Sequence, residues 1–336
     1  MVRASLKWIF LILGTTIGAG YASGRELWQF FGHGSGLAIL LFTILFSFCC
    51  MVIMELSFKH RSSNYFPVLH EIVGPRIAPF YDAMIFVYLF TTTVVMIAGS
   101  GATGQAFQIS YWWGIIFTVF ALVLLFIRDI QGLLSVNQFI MPILIGGLIF
   151  ILLLFIRDQE LSLFSHLHEQ HNWLAAFPFT SLNILPLVAV LGAIGNQVKT
   201  KAEIIAASFG SGVILGVLTF IYNNSLIRIA DDILIYEIPL FAILKHYPFE
   251  ILLFMSIMLW FAIFTTAASG LLGMATRIRP WINKPLIIIV IILIVLMIPL
   301  TTIGFSTLIK FLYPLYGMLN LYVLTRLILY PWWREK

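Results

Sequence analysis

Ten stretches of this sequence are apolar over about the length needed to cross a lipid bilayer, and they follow one another from end to end. They run near 6–31, 37–58, 78–104, 111–127, 132–156, 173–198, 202–227, 249–277, 285–303 and 305–330. A bilayer core takes about 20 predominantly apolar residues per helix, and backbone polar groups inside it must be satisfied within the structure. Composition agrees: of 336 residues, 61% are hydrophobic and only 10% charged, with a mean hydropathy of +1.03. A domain facing water carries about 25% charged residues, so lipid is the solvent for most of this surface. That excludes a soluble enzyme, a nucleic-acid binder and a disordered scaffold. The net charge of +5 implies no nucleic acid, because loop charges in a membrane protein report orientation.

Ten spans return both termini to one side. With the N-terminus inside, the cytoplasmic set is Arg3, Lys7, Lys59, Arg61, Arg76, Arg128, Lys199, Lys201, Arg277, Arg279, Lys284, Arg326, Arg334 and Lys336, which is 14 of the 19 basic residues. Arg25, Arg157, Arg228, Lys245 and Lys310 are left outside. The bias holds loop after loop and predicts cytoplasmic termini. Met1–Gly24 looks superficially like a signal peptide, but its apolar run is short and apolar sequence resumes after Arg25, so it reads as a retained helix. Cys49 and Cys50, adjacent within an apolar run, read as small hydrophobes.

A charged connector divides the chain into 1–158 and 173–336, with 159–172 between them. Five spans on each side force the second half to enter the membrane upside down, the condition for an inverted repeat. The connector carries His166, His168 and His171 beside Glu169, whose irregular spacing favours a solvated cluster over a zinc site. A second long outside connection, near 228–248, alternates acids with aliphatics from Asp231 to Leu240. It reads as short amphipathic helices over an outer opening, acting either as lids or as plain connectors.

The most informative segment is Gly14-Thr15-Thr16-Ile17-Gly18-Ala19-Gly20-Tyr21-Ala22-Ser23-Gly24-Arg25-Glu26. Four glycines in eleven residues each weaken a helix by about 1 kcal/mol relative to alanine. Unwound backbone at membrane depth is tolerated where it is buried in protein or lines a wet cavity, and its freed carbonyls can coordinate a cation. Close helix packing through GxxxG is the competing explanation. The density of glycines, with Thr15, Thr16 and the Arg25-Glu26 pair, favours a functional break. In the sixth span, Pro178, Ser181-Leu182-Asn183-Ile184-Leu185-Pro186, Gly192, Gly195 and Asn196 are what a second broken helix would require.

Gly14–Gly24 resembles the discontinuous first helix of the amino acid–polyamine–organocation transporter superfamily. More narrowly, residues 14–26 look like the first-helix signature of the YkvI-like bacterial membrane proteins. The resemblance implies an all-α polytopic protein of the bacterial cell membrane, with a LeuT-type 5+5 inverted repeat and broken helices 1 and 6. It also implies a sodium ion (Na+) held by carbonyls of Gly14, Ile17 and Ala262 and hydroxyls of Thr265 and Thr266. Five neutral oxygens suit a hard cation in their own right; hydroxyls bonded back to their own helix are the alternative. By the same resemblance a small-molecule substrate would contact Thr16, Gly18, Ala19, Gly20 and Asn183, with Thr92 and Met96 from the third span.

Arg25 and Glu26 are open to several roles: pairing with a substrate carboxylate, gating the outer vestibule, or pairing with each other, with a gate or ion-pair role favoured. Glu55 is a candidate because an ionisable group inside a span is costly. Its expected partner is Lys59, one turn on, or a basic residue near the break; an interfacial ion pair is favoured over proton carriage. No enzyme fingerprint lies in a fitting context, and no cofactor beyond Na+ as coupling ion is implied. The expected function is sodium-coupled transport of a small polar solute, an amino acid or related compound. The alternatives are a ligand-sensing membrane subunit of the same fold, as in spore-germination receptors, and a passive channel.

Overall fold

The computed structural model describes residues 2–128, 131–161, 170–282 and 284–333. Among them every regular element is helical. Eight helices are long and apolar enough to cross a membrane, and the shorter apolar helices Ser5–Thr16 and Tyr111–Ile127 bring the count to the ten expected. His166, His168 and Glu169 lie outside the described residues.

The first span is made of three pieces: α1 (Val2–Thr16), α2 (Ala19–Ala22) and α3 (Arg25–Phe30). The second is α4 (Gly36–His60), followed by α5 (Phe66–Val73), a short amphipathic helix between spans. Spans three to five are α6 (Ala78–Gln105), α7 (Tyr111–Arg128) and α8 (Gln131–Asp158). The second half begins with α9 (Ala176–Leu191) and α10 (Lys201–Arg228); α11 (Pro239–Leu244) lies in the second long connection. The last spans are α12 (Phe249–Ile282), α13 (Leu286–Met297) extended by a tighter turn to Ile303, and α14 (Phe305–Leu319) continued by α15 (Leu321–Trp333).

The sixth span is interrupted, but later than its Ser181–Pro186 segment. Pro186 sits inside α9, and the chain leaves helical geometry only from Gly192, running irregularly to Thr200. A proline at that point removes one N–H, and neighbouring groups in a helix bundle compensate. Thr180 donates to Ala176 O, Ser181 to Pro178 O and Asn183 to Phe179 O, covering carbonyls of the first turns. α10 then starts on a side-chain cap: the Thr200 hydroxyl accepts from Glu203 N–H at 3.3 Å, satisfying a free N–H at the helix start, and the Glu203 carboxylate takes the Lys199 N–H at 3.4 Å.

Packing sorts the helices into two groups. α1, α4, α9 and α10 pack chiefly on one another, while α6, α7, α12 and α13 form the second set; α8 and α14 join the two. Large apolar side chains on the outer faces of α7 and α13, such as Phe117, Phe120, Ile291 and Val295, are exposed for lipid. Cys49 and Cys50 are buried in the core.

At the end read as cytoplasmic, Lys59 pairs with Glu71 at 3.0 Å rather than with Glu55. Glu71 on α5 also takes His60 and the Tyr330 hydroxyl, so α5 supplies a better acceptor set than one turn of α4 could. Burial alone would raise the Glu71 carboxyl; hydrogen bonds from Tyr330, His60 and Lys59 outweigh it and hold the group at about 2. Because that value is depressed from 4.5, the network's contribution is present above the ordinary carboxylate range and is lost as pH falls toward 2. Asp82 is likewise tied within the protein, to Tyr65 and Arg277.

Candidate solute and ion site at the broken first helix

The break begins where Ile17 N–H still donates to Leu13 O at 2.7 Å but Gly18 N–H turns to Thr16 O at 3.0 Å. The helical bond that would occupy the Gly14 carbonyl is thereby replaced by a tighter turn. Regular bonding resumes with Ala22 N–H to Gly18 O and Ser23 N–H to Ala19 O. Thr15 and Thr16 bond back to Leu11 O and Ile12 O, so neither hydroxyl is turned from its own helix. A second interruption follows at Gly24, which sits at φ +80, a left-handed conformation open to glycine at little cost.

Helices α12, α6 and α9 bring the residues named from the sequence to this interrupted segment. From α12, Thr266 comes closest to Gly18: a Cβ built there would lie 3.5 Å from Thr266 Cγ2 and 3.7 Å from its Oγ1. That Oγ1 is buried and has no hydrogen-bond partner. One residue earlier, the Thr265 hydroxyl donates to Phe261 O at 3.0 Å and Ala262 O at 3.3 Å, the intrahelical pattern usual for threonine in membrane helices. From α6, Met96 Sδ accepts the Ala19 N–H at 3.4 Å, while the Thr92 hydroxyl is taken up by Tyr88 O and Leu89 O of its own helix. From α9, Asn183 reaches Glu26: its Nδ2 lies 3.4 Å from Oε1.

α10 clamps the outer half of the span. The Tyr21 hydroxyl pairs with Thr219 Oγ1 at 2.7 Å, Tyr222 donates to Ala22 O at 3.0 Å, and Asn223 uses its amide to take both the N–H and C=O of Gly32. The connection after α10 closes over the same end. Leu240 N–H donates to Ser23 O at 2.9 Å and Arg25 Nη1 to Ile233 O at 3.2 Å.

Arg25 and Glu26 therefore point to different partners. Arg25 turns outward to the connection carrying Glu237, and Glu26, 4% exposed, turns inward. Glu237 lies against the start of α14, its Oε1 3.5 Å from a Cβ built on Gly304 and its Oε2 buried without a hydrogen-bond partner; burial raises its carboxyl above the usual range against the pull of the Phe305 and Ser306 backbone and the Arg25 charge. Its raised value means that this loop packing is strongest below the ordinary carboxylate range and weakens as pH rises through the raised pKa. Glu237→Gln is expected to raise thermal stability at pH 8 and to leave it unchanged at pH 4, which a pair of melting curves checks; equal shifts at both pH values would refute the titration account.

Glu55 remains on α4, half-buried, away from the contacts made at the break. The residues that sequence reading missed are Tyr88, Tyr222, Glu237 and Tyr313. Tyr313 on α14 approaches Gly20, where a built Cβ would lie 3.1 Å from its hydroxyl.

No family model matches the chain. It is 49% identical over 329 residues to the uncharacterized protein YyaD of Bacillus subtilis (strain 168), covering 98% of this chain and 97% of that one. The chain belongs to the YyaD family. It is more distantly similar to the membrane protein YkvI of the same organism, 25% identical over 93% of this chain and 92% of YkvI. Among solved structures, MhsT in complex with L-phenylalanine aligns with a TM-score of 0.71 at 12% identity, covering 95% of this chain and 87% of that one. A Na+-coupled sialic acid symporter aligns at 0.65 and 12%, covering 94% and 75%. Mhp1, a nucleobase-cation-symport-1 family transporter, aligns at 0.57 and 14%, covering 93% and 74%. This YyaD-family chain has the LeuT-type fold, and its first span breaks at Ile17–Gly18 as its glycines predict.

Proposed function

We propose that the protein is a secondary active transporter that moves a small polar solute, an amino acid or related compound, together with Na+. The observation that carries this reading is the buried Thr266 hydroxyl, without a hydrogen-bond partner, facing the interrupted first helix at Gly18. An unsatisfied buried hydroxyl costs about 1–3 kcal/mol, and a cation gives it a use. Thr265 Oγ1 and the Ala262 carbonyl lie on the same helix, and the carbonyls of Gly14 and Ile17 lie across the break. Five neutral oxygens supply ligands to a hard monovalent ion without burying a fixed charge.

The solute occupies the inner face of the break, against Thr16, Gly18, Ala19 and Gly20, with Met96, Thr92 and Asn183 on facing helices. Na+ and solute share one broken helix, so each raises the affinity for the other. In the transport cycle the group of α1, α4, α9 and α10 rocks against α6, α7, α12 and α13, and the two halves, 1–158 and 173–336, act as inverted repeats about the connector 159–172. Arg25, bonded to Ile233 O with Glu237 in electrostatic range, is the outer gate, and Glu55 remains a candidate for coupling. The protein sits in the cell membrane with both termini cytoplasmic.

Arg25→Ala is expected to speed solute release to the outside several-fold while leaving sodium-dependent stabilisation in place. Uptake into proteoliposomes under an inward sodium gradient tests the function: accumulation above the outside concentration is expected. Saturable binding with no accumulation would assign the protein to ligand sensing, and flux with no uphill component to a channel.

A further inference from the structure

Glu26 is a buried carboxylate that lacks a counter-charge. It is 4% exposed, and the ion pairs formed among the described residues join other groups. Its chain neighbour Arg25 turns to Ile233 O and Glu237. The Asn183 amide, at 3.4 Å from Oε1, is a weak neutral donor that is also engaged with Phe179 O at 2.9 Å. Bringing an ionised carboxylate out of water costs several kcal/mol unless a cation and good hydrogen bonds offset it.

What surrounds Glu26 indicates which cation fits. A Cβ built on Gly20 would lie 2.9 Å from Glu26 Oε2, 2.9 Å from Tyr313 Cε2 and 3.1 Å from the Tyr313 hydroxyl. A carboxylate oxygen, a phenol oxygen and an aromatic edge thus converge on the bare face of one glycine. Tyr88 on α6 lies within electrostatic range of the same carboxylate and packs edge-to-face on Tyr316, with ring centroids 5.0 Å apart. A metal ion needs a shell of oxygens, whereas one carboxylate among tyrosine rings suits an ammonium, which donates hydrogen bonds and is attracted to aromatic faces.

We infer that the solute carries a protonated amine and that Glu26, packed with Tyr313 against the bare backbone of Gly20 and reached by Asn183, is its counter-charge. This deepens the transport reading and rests on it only in taking the bound amine as the solute that is carried.

The test uses the purified full-length protein and a fixed panel of probes: L-amino acids, the amines obtained by decarboxylating them, and their α-hydroxy-acid and N-acetyl counterparts. Affinities are read from thermal shift titrations at pH 7 and constant sodium. At least one amine-bearing probe is expected to bind, with its hydroxy and N-acetyl counterparts at least about tenfold weaker. Glu26→Gln is expected to weaken the amine by about 10- to 100-fold, the span of a charge-assisted hydrogen bond. Glu26→Asp, which keeps the charge, is expected to retain part of that affinity, and it separates lost recognition from lost folding.

Equal binding of amine and hydroxy probes, an absence of any amine binding, or unchanged affinity in Glu26→Gln would each overturn the assignment. So would a Glu26→Gln protein that loses amine and non-amine probes alike, since the carboxylate would then serve coupling rather than recognition. Proteoliposome uptake separates this from the wider reading. Amine binding that depends on Glu26 but leads to no accumulation removes the transport function and leaves the recognition intact. Uphill uptake of a solute without an amine does the reverse.

Discussion

Thr266→Val is expected to raise the melting temperature in choline chloride and to reduce the further rise that sodium chloride gives the parent protein at equal ionic strength. The two effects have opposite signs, which makes the variant informative. The Thr266 Oγ1 is buried without a partner; replacing it with a methyl of similar size removes a desolvation cost of about 1–3 kcal/mol in the ion-free protein. The same change deletes one oxygen from the proposed sodium set, expected to weaken sodium by about tenfold or more, since hydrogen-bond-type contacts to an ion are worth about 1.5–3 kcal/mol. A ligand that binds only the folded state stabilises it by an amount that grows with the logarithm of its concentration relative to Kd, so the sodium increment falls with affinity. Thr265→Val is expected to differ: its hydroxyl already donates to Phe261 O and Ala262 O, so no ion-free gain accompanies its loss of sodium response. If Thr266→Val keeps the full sodium increment, the hydroxyl is not a ligand.

The spans were legible because the bilayer reads hydrophobicity locally, about 20 residues at a time. The break in the first span was legible for a similar reason: Gly14, Gly18, Gly20 and Gly24 lie within one short segment, and the helix fails inside it, at Ile17–Gly18 and again at Gly24. In the sixth span the signals were spread from Pro178 to Asn196. Pro186 costs one missing bond inside a bundle and the helix persists to Leu191, so the interruption falls on the later group, Gly192, Gly195 and Asn196. Contacts between distant parts of the chain have no local pattern, and Thr266, Met96 and Asn183 were named for the site only through the resemblance. Lys59 stands four positions after Glu55, a spacing that invites a helical pair, yet Glu71 on a separate helix, joined by His60 and Tyr330, wins it. Tyr313 meets Gly20 from nearly the opposite end of the sequence, and no local pattern marks such a meeting. Glu237 read as one acid in an amphipathic alternation; its place at the start of α14 depends on how the connection folds back.

Gly195→Ala is expected to cost about 3 kcal/mol or more in stability, enough to reduce the yield of folded protein in detergent. The unwound end of the sixth span is fastened to the chain just past α4 by hydrogen bonds to its own main chain. Ser62 donates to Gly192 O at 2.7 Å, Asn196 N–H to Ser62 O at 3.2 Å, and Arg61 Nη1 to Val198 O at 3.3 Å. A Cβ on Gly195 would fall 1.9 Å from Ser57 O and 2.4 Å from Ser57 C. These are backbone atoms of a membrane helix and cannot rotate aside, so the whole segment must lift and release the three bonds. Overpacking where side chains can adjust costs about 1–3 kcal/mol; a backbone that cannot adjust places this site at or above the top of that range. Gly146→Ala supplies the contrast. A Cβ there meets nothing within 4 Å, the residue lies inside α8, and alanine is favoured over glycine in a helix by about 1 kcal/mol, so that variant is expected to melt slightly higher. Because α4 and α9 belong to the same packed group, the proposed transport cycle leaves the Gly195 contact within one body. The loss is therefore expected to appear equally in sodium and in choline, unlike the loss at Thr266, and a sodium-selective effect of Gly195→Ala would place this contact between moving parts instead.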